Sequence, residues 1–351
     1  MRVALNAHFR HHPGTGSGQY LTHLLRHLSG VEALPLFRRA PSSLAKLLWE
    51  QTRFPLAAHR SGADVWHVPY FAPPLVHTRP LVVTIHDLIP LIIPEYATSP
   101  LVRAYNRLVS AGARRADLIL ADSEASKRDI VRLLGIPAAR VRVVYLAADE
   151  AVMRPVPADE IAAVRRKYGL ADRYVLYFGG LDKRKNVPAL LRALAELRDV
   201  DWQLAVSGRL RTDNPVLFPD LPAAAAQLGI QDRVRFLGFA PDEDKPALIH
   251  GATCFAFPSH YEGFGMDPLE ALACGAPVVC SDRSSLPELM GDAALLVDPD
   301  APGALAAALR RVLADDALRA DLAARGPAQA ARFTWQRTAR ETEEAYAACA
   351  S

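Results

Sequence analysis

The sequence has little cysteine, little net charge and no long apolar run. The formal net charge of its 351 residues is +3, which argues against a nucleic-acid-binding protein, since such proteins carry basic stripes interleaved with aromatic residues. The cysteines show neither a Cys-x-x-Cys pair nor another metal-binding spacing, so we expect buried, reduced thiols and a reducing cytoplasm. These cysteines are Cys254, Cys274, Cys280 and Cys349.

The apolar runs of the chain are too short for a membrane-spanning helix. The longest, residues 81–94, is interrupted by His86 and Pro90 and falls short of the roughly 20 residues that a span needs. A strand expected at residues 3–7 leaves no room for a signal peptide. We therefore expect a cytoplasmic protein. Peripheral contact with the inner face of a membrane stays open, because residues 101–116 carry four arginines among apolar side chains. A surface helix packed on its own sheet is the alternative that we favour there.

The length and the order of the predicted elements indicate two α/β domains. A chain of 351 residues suits two cores better than one, and short β-branched runs alternate with helical patterns, as in parallel sheets covered by helices. We place the linker near residue 150, which gives domains 1–150 and 151–333, and we expect the terminal helix, 334–350, to pack back onto the first domain. The first helix is expected at residues 19–28. The predicted strands are residues 3–7, 65–68, 81–85 and 118–121 in the first half, and 174–178, 203–206, 234–236, 254–256, 277–280 and 294–297 in the second.

A glycine-rich segment between a predicted strand and a predicted helix carries the strongest functional pattern. It reads PSHYEGFGMDPLE over residues 258–270. Gly263 and Gly265 allow backbone N–H groups to approach a ligand at the positive end of the following helix, so an anion is the expected occupant. Glu262 stands before this loop and Glu270 about one turn into the helix. The pattern therefore predicts two carboxylates around one crevice.

This segment resembles the E-x7-E signature of retaining glycosyltransferase family 4, with Glu262 and Glu270 in the two acidic positions. The resemblance covers nearly the whole chain, more loosely in the first half. It implies the GT-B fold, an α/β architecture of two Rossmann-like domains facing across a cleft, with the acceptor bound by the first domain and a nucleoside diphosphate sugar by the second. By the same resemblance, Glu262 lies by the donor sugar, Glu270 binds the ribose hydroxyls, and the loop between them holds the phosphates. The residues of that loop are Gly263, Phe264, Gly265 and Met266. A glycine-rich turn with solvated glutamates is the alternative.

A second pattern, residues 177–187, follows the first strand of the second domain and resembles the diphosphate-binding loop of the same family. Gly179 stands in this loop. Among its basic residues we choose Lys185, with Arg184 beside it, to neutralise the charge on a departing diphosphate. Many relatives carry an arginine where this chain has Gly180. Which of the neighbouring cations neutralises the charge on the diphosphate is therefore open. A solvated helix end is the alternative for such a basic run.

Two features of the first half stand where open α/β sheets bind ligands. Residues 13–20 do not match the G-x-G-x-x-G dinucleotide fingerprint and resemble the family's loop over the donor phosphates, which makes Gly16 a donor-binding candidate. A turn that needs positive φ is the alternative for such a glycine. His86 ends a predicted strand and, by the resemblance, faces the donor sugar as a catalytic residue, with a structural hydrogen-bonding role as the alternative. Residues 88–95 resemble a subgroup that uses mannose- or rhamnose-type donors.

The expected reaction needs neither a metal nor a cofactor. Two Asp-x-Asp patterns, residues 242–244 and 298–300, have the form of a metal pair that holds a diphosphate, but we expect the first to open a helix and the second to lie in a turn. The substrates would be a nucleotide-sugar donor and a carbohydrate or lipid-linked acceptor.

The resemblance implies retaining transfer of a mannose- or rhamnose-type hexose in cell-surface polysaccharide or glycolipid synthesis. Because the sequence offers no obvious carboxylate nucleophile, we expect an oxocarbenium-like transition state with the leaving phosphate as base. The alternatives are a sugar-nucleotide epimerase of the same fold and a non-catalytic nucleotide-sugar-binding protein.

Overall fold

Two parallel β-sheets of six strands each organise the part of the chain that the structure, a computed structural model, describes: residues 1–12, 14–37 and 42–350. One sheet belongs to a unit formed by Met1–Leu146 and the chain from Phe333 onward, and the other to a unit formed by Ala147–Arg332. Each sheet is built from strands that alternate with helices along the chain. The predicted pair of Rossmann-like α/β domains is therefore confirmed.

The first sheet has its central strands buried on both faces. This double burial explains why those strands form continuous apolar runs and not an alternating pattern. In chain order the elements of this unit are β1 (Arg2–Asn6), α1 (Gly16–His27), β2 (Glu32–Leu36), α2 (Ser43–Leu48), α3 (Phe54–Arg60), β3 (Val65–Val68), β4 (Leu81–Ile85), α4 (Ile89–Ile92), α5 (Pro100–Arg115), β5 (Leu118–Ala121), α6 (Glu124–Leu134) and β6 (Val141–Val143). The strand order is β2-β1-β3-β4-β5-β6.

The second unit repeats this plan with the strand order β12-β11-β10-β7-β8-β9. Its elements are α7 (Ala158–Tyr168), β7 (Val175–Phe178), α8 (Val187–Ala195), β8 (Leu204–Ser207), α9 (Leu221–Gln227), β9 (Val234–Gly238), α10 (Lys245–His250), β10 (Cys254–Phe257), α11 (Met266–Ala273), β11 (Val278–Ser281), α12 (Leu286–Met290), β12 (Ala294–Val297), α13 (Ala304–Ala314) and α14 (Asp316–Ala330). Because the central strands β7 and β10 are paired in parallel, the loops that follow them leave the sheet at the same edge.

The last helix, α15 (Trp335–Ala350), belongs to the first unit. Trp335 is buried and stacks on the ring of His23 with centroids 4.5 Å apart. The hydroxyl of the buried Tyr346 lies 2.7 Å from Nδ1 of His67 on β3. These contacts provide burial for the aromatic side chains of the terminal helix.

Several details of the secondary structure differ from the sequence-based expectation. Helix α1 begins at Gly16, not near residue 19, because the Thr15 hydroxyl accepts a hydrogen bond from Gly18 N at 3.1 Å and caps the helix earlier. The outer strands β2 and β6 were not predicted, since β2 contains Pro35 and β6 spans only three residues. No helix in the described ranges has both the length and the apolar composition that a membrane span requires.

Candidate active site

The loop after β7 turns two neighbouring cations inward. Gly179 has a φ of +141°, a conformation that favours glycine, and a short 3-10 turn over Lys183–Lys185 leads to Asn186, whose left-handed backbone starts α8. This geometry leaves Lys183 exposed, whereas the side chains of Arg184 and Lys185 are only 12% and 9% exposed. The two buried cations of the basic run are thus Arg184 and Lys185.

The carboxylate of Glu262 lies between these two cations. Its Oε1 is 2.8 Å from Lys185 Nζ and its Oε2 is 2.8 Å from Nη1 of Arg184. Ser259 Oγ donates to the same Oε1 at 2.6 Å. Burial opposes ionisation of this carboxyl group, but Lys185 and Arg184 outweigh burial and lower the pKa of Glu262 to about 2. Glu262 is therefore a fixed anion at neutral pH.

Serine side chains hold the backbone around Glu262. Ser284 Oγ accepts a hydrogen bond from Glu262 N at 2.8 Å, and Ser285 Oγ donates to Glu262 O at 3.0 Å. Phe264 O is a second acceptor close to the same hydroxyl. No sequence pattern predicted these serines or Ser259, because a serine that supports a loop cannot be distinguished by sequence from one with a solvated hydroxyl.

The glycine-rich loop ends where α11 begins. Gly265 has a φ of +122°, a backbone conformation that favours glycine, and a Cβ there would lie 2.9 Å from Cδ2 of Leu286, which would have to shift. Met266 is the first residue of α11, and Phe264 is buried. Gly263 is buried as well. The predicted placement of this loop at a helix N-terminus is what the structure shows, and the positive end of the helix dipole lies there.

Glu270 is fully buried on α11 and has its own cation. Lys245 Nζ lies 2.5 Å from Glu270 Oε2 and 3.1 Å from Asp267 Oδ1, and it sits 4.4 Å from the ring centroid of Phe178. Burial raises the pKa of Glu270, and Lys245 acts in the opposite direction. Lys245 was not predicted from the sequence; the one feature that could have indicated it is its position at the start of a helix, directly after the acids of the 242–244 pattern. The two glutamates of the signature are thus held by different cations.

By the resemblance, Gly180 stands where many relatives carry an arginine, and in the structure it lies beside Asp182 and Lys185. A Cβ at this residue would meet Asp182 Oδ2 at 3.0 Å and Lys185 Cε at 3.8 Å. A longer side chain at residue 180 would therefore begin beside Lys185. Arg184 already places a guanidinium group against Glu262 from the other end of the same loop.

His86 follows β4 in the first unit and is paired with an acid from the next strand. Its Nδ1 lies 2.6 Å from Asp122 Oδ2, just after β5, and its Nε2 lies 3.2 Å from Pro69 O. Burial lowers the pKa of His86, but Asp122, with smaller contributions from Asp87 and Pro69 O, more than compensates, so the pKa is raised. Both ring nitrogens face acceptors, which fits an imidazolium that donates twice.

The loop before α1 provides space at Gly16 but not at its neighbour Gly18. A Cβ at Gly16 would meet no atom within 4 Å, whereas a Cβ at Gly18 would lie 2.0 Å from His12 O. Among Gly14, Gly16 and Gly18, none has a positive φ, so a turn that needs positive φ is the wrong explanation for these glycines. Pro13, at the start of the loop, lies outside the described residues. Helix α1 reaches His86 through Tyr20, with ring centroids 5.0 Å apart.

Both Asp-x-Asp patterns are engaged with other side chains. Asp244 accepts hydrogen bonds from Lys167 Nζ and the Tyr168 hydroxyl, each at 2.6 Å. It lies at the start of α10, as expected, but its side chain does not cap the helix. Asp298 lies 2.5 Å from Nη2 of Arg283, and Asp300 lies 3.4 Å from the same atom. Within residues 1–12, 14–37 and 42–350, no three His, Cys, Asp or Glu side chains cluster as a metal site would require.

Both halves of the chain match known glycosyltransferase families. Residues 14–152 match the family model described as Glycosyltransferase Family 4, and residues 161–329 match Glycosyl transferases group 1. The O-antigen chain mannosyltransferase B of Escherichia coli is 38% identical over 287 residues, which cover 80% of this chain and 74% of that protein. The serotype-specific mannosyltransferase WbdA of Escherichia coli is 31% identical over 261 residues, or 72% of this chain, which spans only 32% of the length of WbdA. The structure of HepE from Anabaena in complex with UDP-glucose has a TM-score of 0.77 at 22% identity and covers 99% of this chain and 100% of that one.

Proposed function

The chain belongs to glycosyltransferase family 4, and from that premise we propose that it transfers a mannose-type hexose from a nucleoside diphosphate sugar to an acceptor hydroxyl. The transfer proceeds with retention of the anomeric configuration and without a metal ion, in the cytoplasm. Two relatives, the O-antigen chain mannosyltransferase B and the serotype-specific mannosyltransferase WbdA of Escherichia coli, support the sugar and the place in cell-surface polysaccharide assembly. The acceptor is a carbohydrate or a lipid-linked saccharide.

One observation carries the proposal: two largely buried cations from the loop after β7 contact the carboxylate of Glu262, which follows β10. Arg184 Nε also lies 3.5 Å from Asp182 Oδ1, so Lys185 and Arg184 bear two positive charges beside two carboxylates. A departing nucleoside diphosphate gains negative charge as the glycosidic bond breaks, and preorganised cations in a site with little water stabilise that charge strongly. The cluster supports a leaving-group role for Lys185, with Arg184 as its partner.

Glu262 acts on the donor sugar as an ionised acceptor of hydrogen bonds. Its pKa of about 2 makes it unsuited to donate a proton at neutral pH. Its two oxygens are anchored by cations, so it is also poorly placed to leave them and attack the anomeric carbon. We therefore assign the role of base to the leaving phosphate, in a same-face reaction through an oxocarbenium-like transition state.

Glu270 binds the ribose hydroxyls of the nucleotide, and Lys245 keeps it in place. Lys245 approaches both Glu270 and Asp267, and Asp149 N lies 3.4 Å from Glu270 Oε1. The phosphates bind at the loop of Gly263 and its neighbours, where the N-terminus of α11 favours anions. Gly179, whose absent Cβ leaves room beside Asp267, lets the backbone approach the same ligand.

His86 faces the donor sugar, and its Nε2 donates to the sugar in place of Pro69 O, which lies 3.2 Å away. Asp122 is its positioning residue, because the 2.6 Å contact fixes the imidazole ring and favours its charged form. Gly16 lies at the start of α1, where open space around its Cα allows a ligand to approach.

Calorimetry on two single variants tests the separate roles of Glu262 in sugar binding and Glu270 in nucleotide binding. Glu270→Ala is expected to weaken binding of both the free nucleoside diphosphate and the whole donor. Glu262→Ala is expected to weaken binding of the donor but to spare the free nucleotide. Equal losses of nucleotide affinity in the two variants would show that the roles are assigned wrongly.

The donor itself is identified by a thermal-shift screen with GDP-, UDP-, ADP- and dTDP-sugars. A ligand at 100 times its dissociation constant stabilises the fold by about 2.7 kcal/mol, and GDP-mannose is the expected best ligand. Product analysis without an acceptor separates the proposal from its rivals. An epimerase would release a modified sugar under these conditions, and a binding protein would show no turnover even with acceptor.

A further inference from the structure

A series of hydrogen-bonded side chains links the terminal helix to β4 through the core of the first unit. Tyr346 on α15, His67 on β3 and Thr84 on β4 are each at most 1% exposed. Nδ1 of His67 lies 2.7 Å from the Tyr346 hydroxyl, and its Nε2 lies 2.9 Å from Thr84 Oγ1. Both ring nitrogens of this core histidine therefore serve to join α15 to β4.

The series continues to Tyr20 on α1, whose hydroxyl lies 3.1 Å from Thr84 Oγ1. Thr84 thus connects His67 with Tyr20. Burial raises the pKa of Tyr20, and hydrogen bonds from Thr84 and from Thr342, which is also on α15, oppose that rise. The terminal helix therefore reaches the Tyr20 hydroxyl by two routes. We call the set of Tyr346, His67, Thr84 and Tyr20 the buried relay.

The buried relay ends against His86, the residue of this unit that is proposed to act on the donor sugar. The rings of Tyr20 and His86 have their centroids 5.0 Å apart and their planes at 80°, the edge-to-face arrangement that aromatic rings favour. The hydroxyl of Tyr20 is bound to Thr84, and its ring packs on the imidazole. Because the hydroxyl lies on the long axis of the ring, fixing it limits how far the ring can tilt or shift against His86.

His67 is neutral within the buried relay. Burial, with a smaller contribution from the charge of His86, lowers the pKa of His67 to about 3. A neutral imidazole has one donor and one acceptor nitrogen, which matches its two hydroxyl partners. The pKa of His86 is raised, chiefly by Asp122, so His86 is the histidine of this pair that carries the charge. His67 therefore fixes geometry and does not compete for the proton.

We propose that the terminal helix positions the imidazole ring of His86 through the buried relay, with Tyr346 and Thr84 as positioning residues for the transfer. The proposal rests on the role of His86 proposed above. Asp122 holds the ring at Nδ1, and the Tyr20 ring restrains it from tilting away from that contact. A misplacement of about 1 Å in a group that acts on the substrate can cost about 100-fold in rate, so a restraint on this ring affects turnover from a distance.

An NMR titration of the His86 imidazole in the full chain tests the buried relay. Tyr346→Phe and Thr84→Val each remove one hydroxyl of the relay and keep the shape of the side chain. Both are expected to lower the pKa of His86, with an at least about threefold loss of proton affinity, because a ring that moves away from Asp122 loses the contact that raises its pKa. Thr84→Ser keeps the hydroxyl and is expected to retain the pKa of the wild type.

Tyr174→Phe is the matched control. Tyr174 is as buried as Tyr346, but it lies in the second unit, where its hydroxyl donates to Leu248 O at 2.6 Å. The control therefore loses a buried tyrosine hydrogen bond without touching the relay. It is expected to lower Tm about as much as Tyr346→Phe does and to leave the pKa of His86 unchanged.

Steady-state kinetics provides the second measurement. Tyr346→Phe is expected to lower kcat about tenfold and to change KM for the donor less than about twofold, since the contacts that bind the nucleotide stay intact. An unchanged pKa of His86 in folded Tyr346→Phe and Thr84→Val would overturn the proposal. So would an equal loss of kcat or an equal fall of this pKa in Tyr174→Phe, because general destabilisation would then explain the effect. The pKa titration needs no turnover, so it tests the buried relay even if the chain transfers no sugar.

Discussion

Replacing Lys185 by alanine is the most direct test of the leaving-group cluster. The change removes one of the two cations that contact Glu262. Only interactions that strengthen as the bond breaks raise turnover, so Lys185→Ala should reduce the chemical step more than ground-state binding of the donor. We expect kcat to fall at least ~100-fold, about 2.7 kcal/mol, which is the usual cost of one preorganised electrostatic donor.

The same substitution has a predictable cost in stability. The pKa of Glu262 falls from 4.5 to about 2, and at 1.36 kcal/mol per unit this is a net contribution of about 3 kcal/mol, in which Lys185, Arg184 and Ser259 outweigh the cost of burial. This stability is present above pH 4.5 and is lost as the pH falls through about 2. Loss of Lys185 should therefore lower stability at pH 7 by about 1–2 kcal/mol, or Tm by about 3–6 °C for a unit of this size.

The assay is steady-state and single-turnover kinetics on Lys185→Ala, with folding checked by circular dichroism. Lys183→Ala is the matched control, since Lys183 carries the same charge two residues away but is exposed. The control should lose far less activity and little stability. A near-normal kcat in a folded Lys185→Ala protein would refute the leaving-group assignment and favour a non-catalytic binding protein.

Further changes test the rest of the site. Gly180→Arg should partly restore kcat to Lys185→Ala, because a side chain at residue 180 starts beside Lys185; no gain would mean that the new guanidinium group does not reach the phosphates. Asp122→Asn should lower the pKa of His86, measured by NMR, and should remove stability that the wild type has at low pH and loses as the pH rises above the raised pKa of His86; an unchanged pKa would exclude Asp122 as the positioning residue. Turnover should persist in excess EDTA and in Asp298→Asn, and loss with chelator followed by rescue with Mn²⁺ would show that a metal takes part.

The sequence predicted the elements of the fold where the physical signal is local. Strands β4 and β5 are buried on both faces, and their apolar runs identify them directly. The exposed edge strand β2 has no such run and was missed. The cap at Thr15 moved the start of α1 by three residues, because one side-chain hydrogen bond decides a helix boundary that hydrophobic periodicity cannot locate.

For the candidate site, the sequence by itself determined the spacing of Glu262 and Glu270 around a loop whose backbone favours glycine at residue 265, since these depend on a strand, a turn and a helix in direct succession. Only the tertiary structure decided which partner holds each group. Lys245 reaches Glu270, and Asp122 reaches His86, from elements distant along the chain. The pairing of β5 with β4 brings Asp122 beside His86, and the Lys245 side chain at the start of α10 reaches Glu270 on α11. No local pattern encodes a contact whose partners meet only when the sheet and its helices assemble.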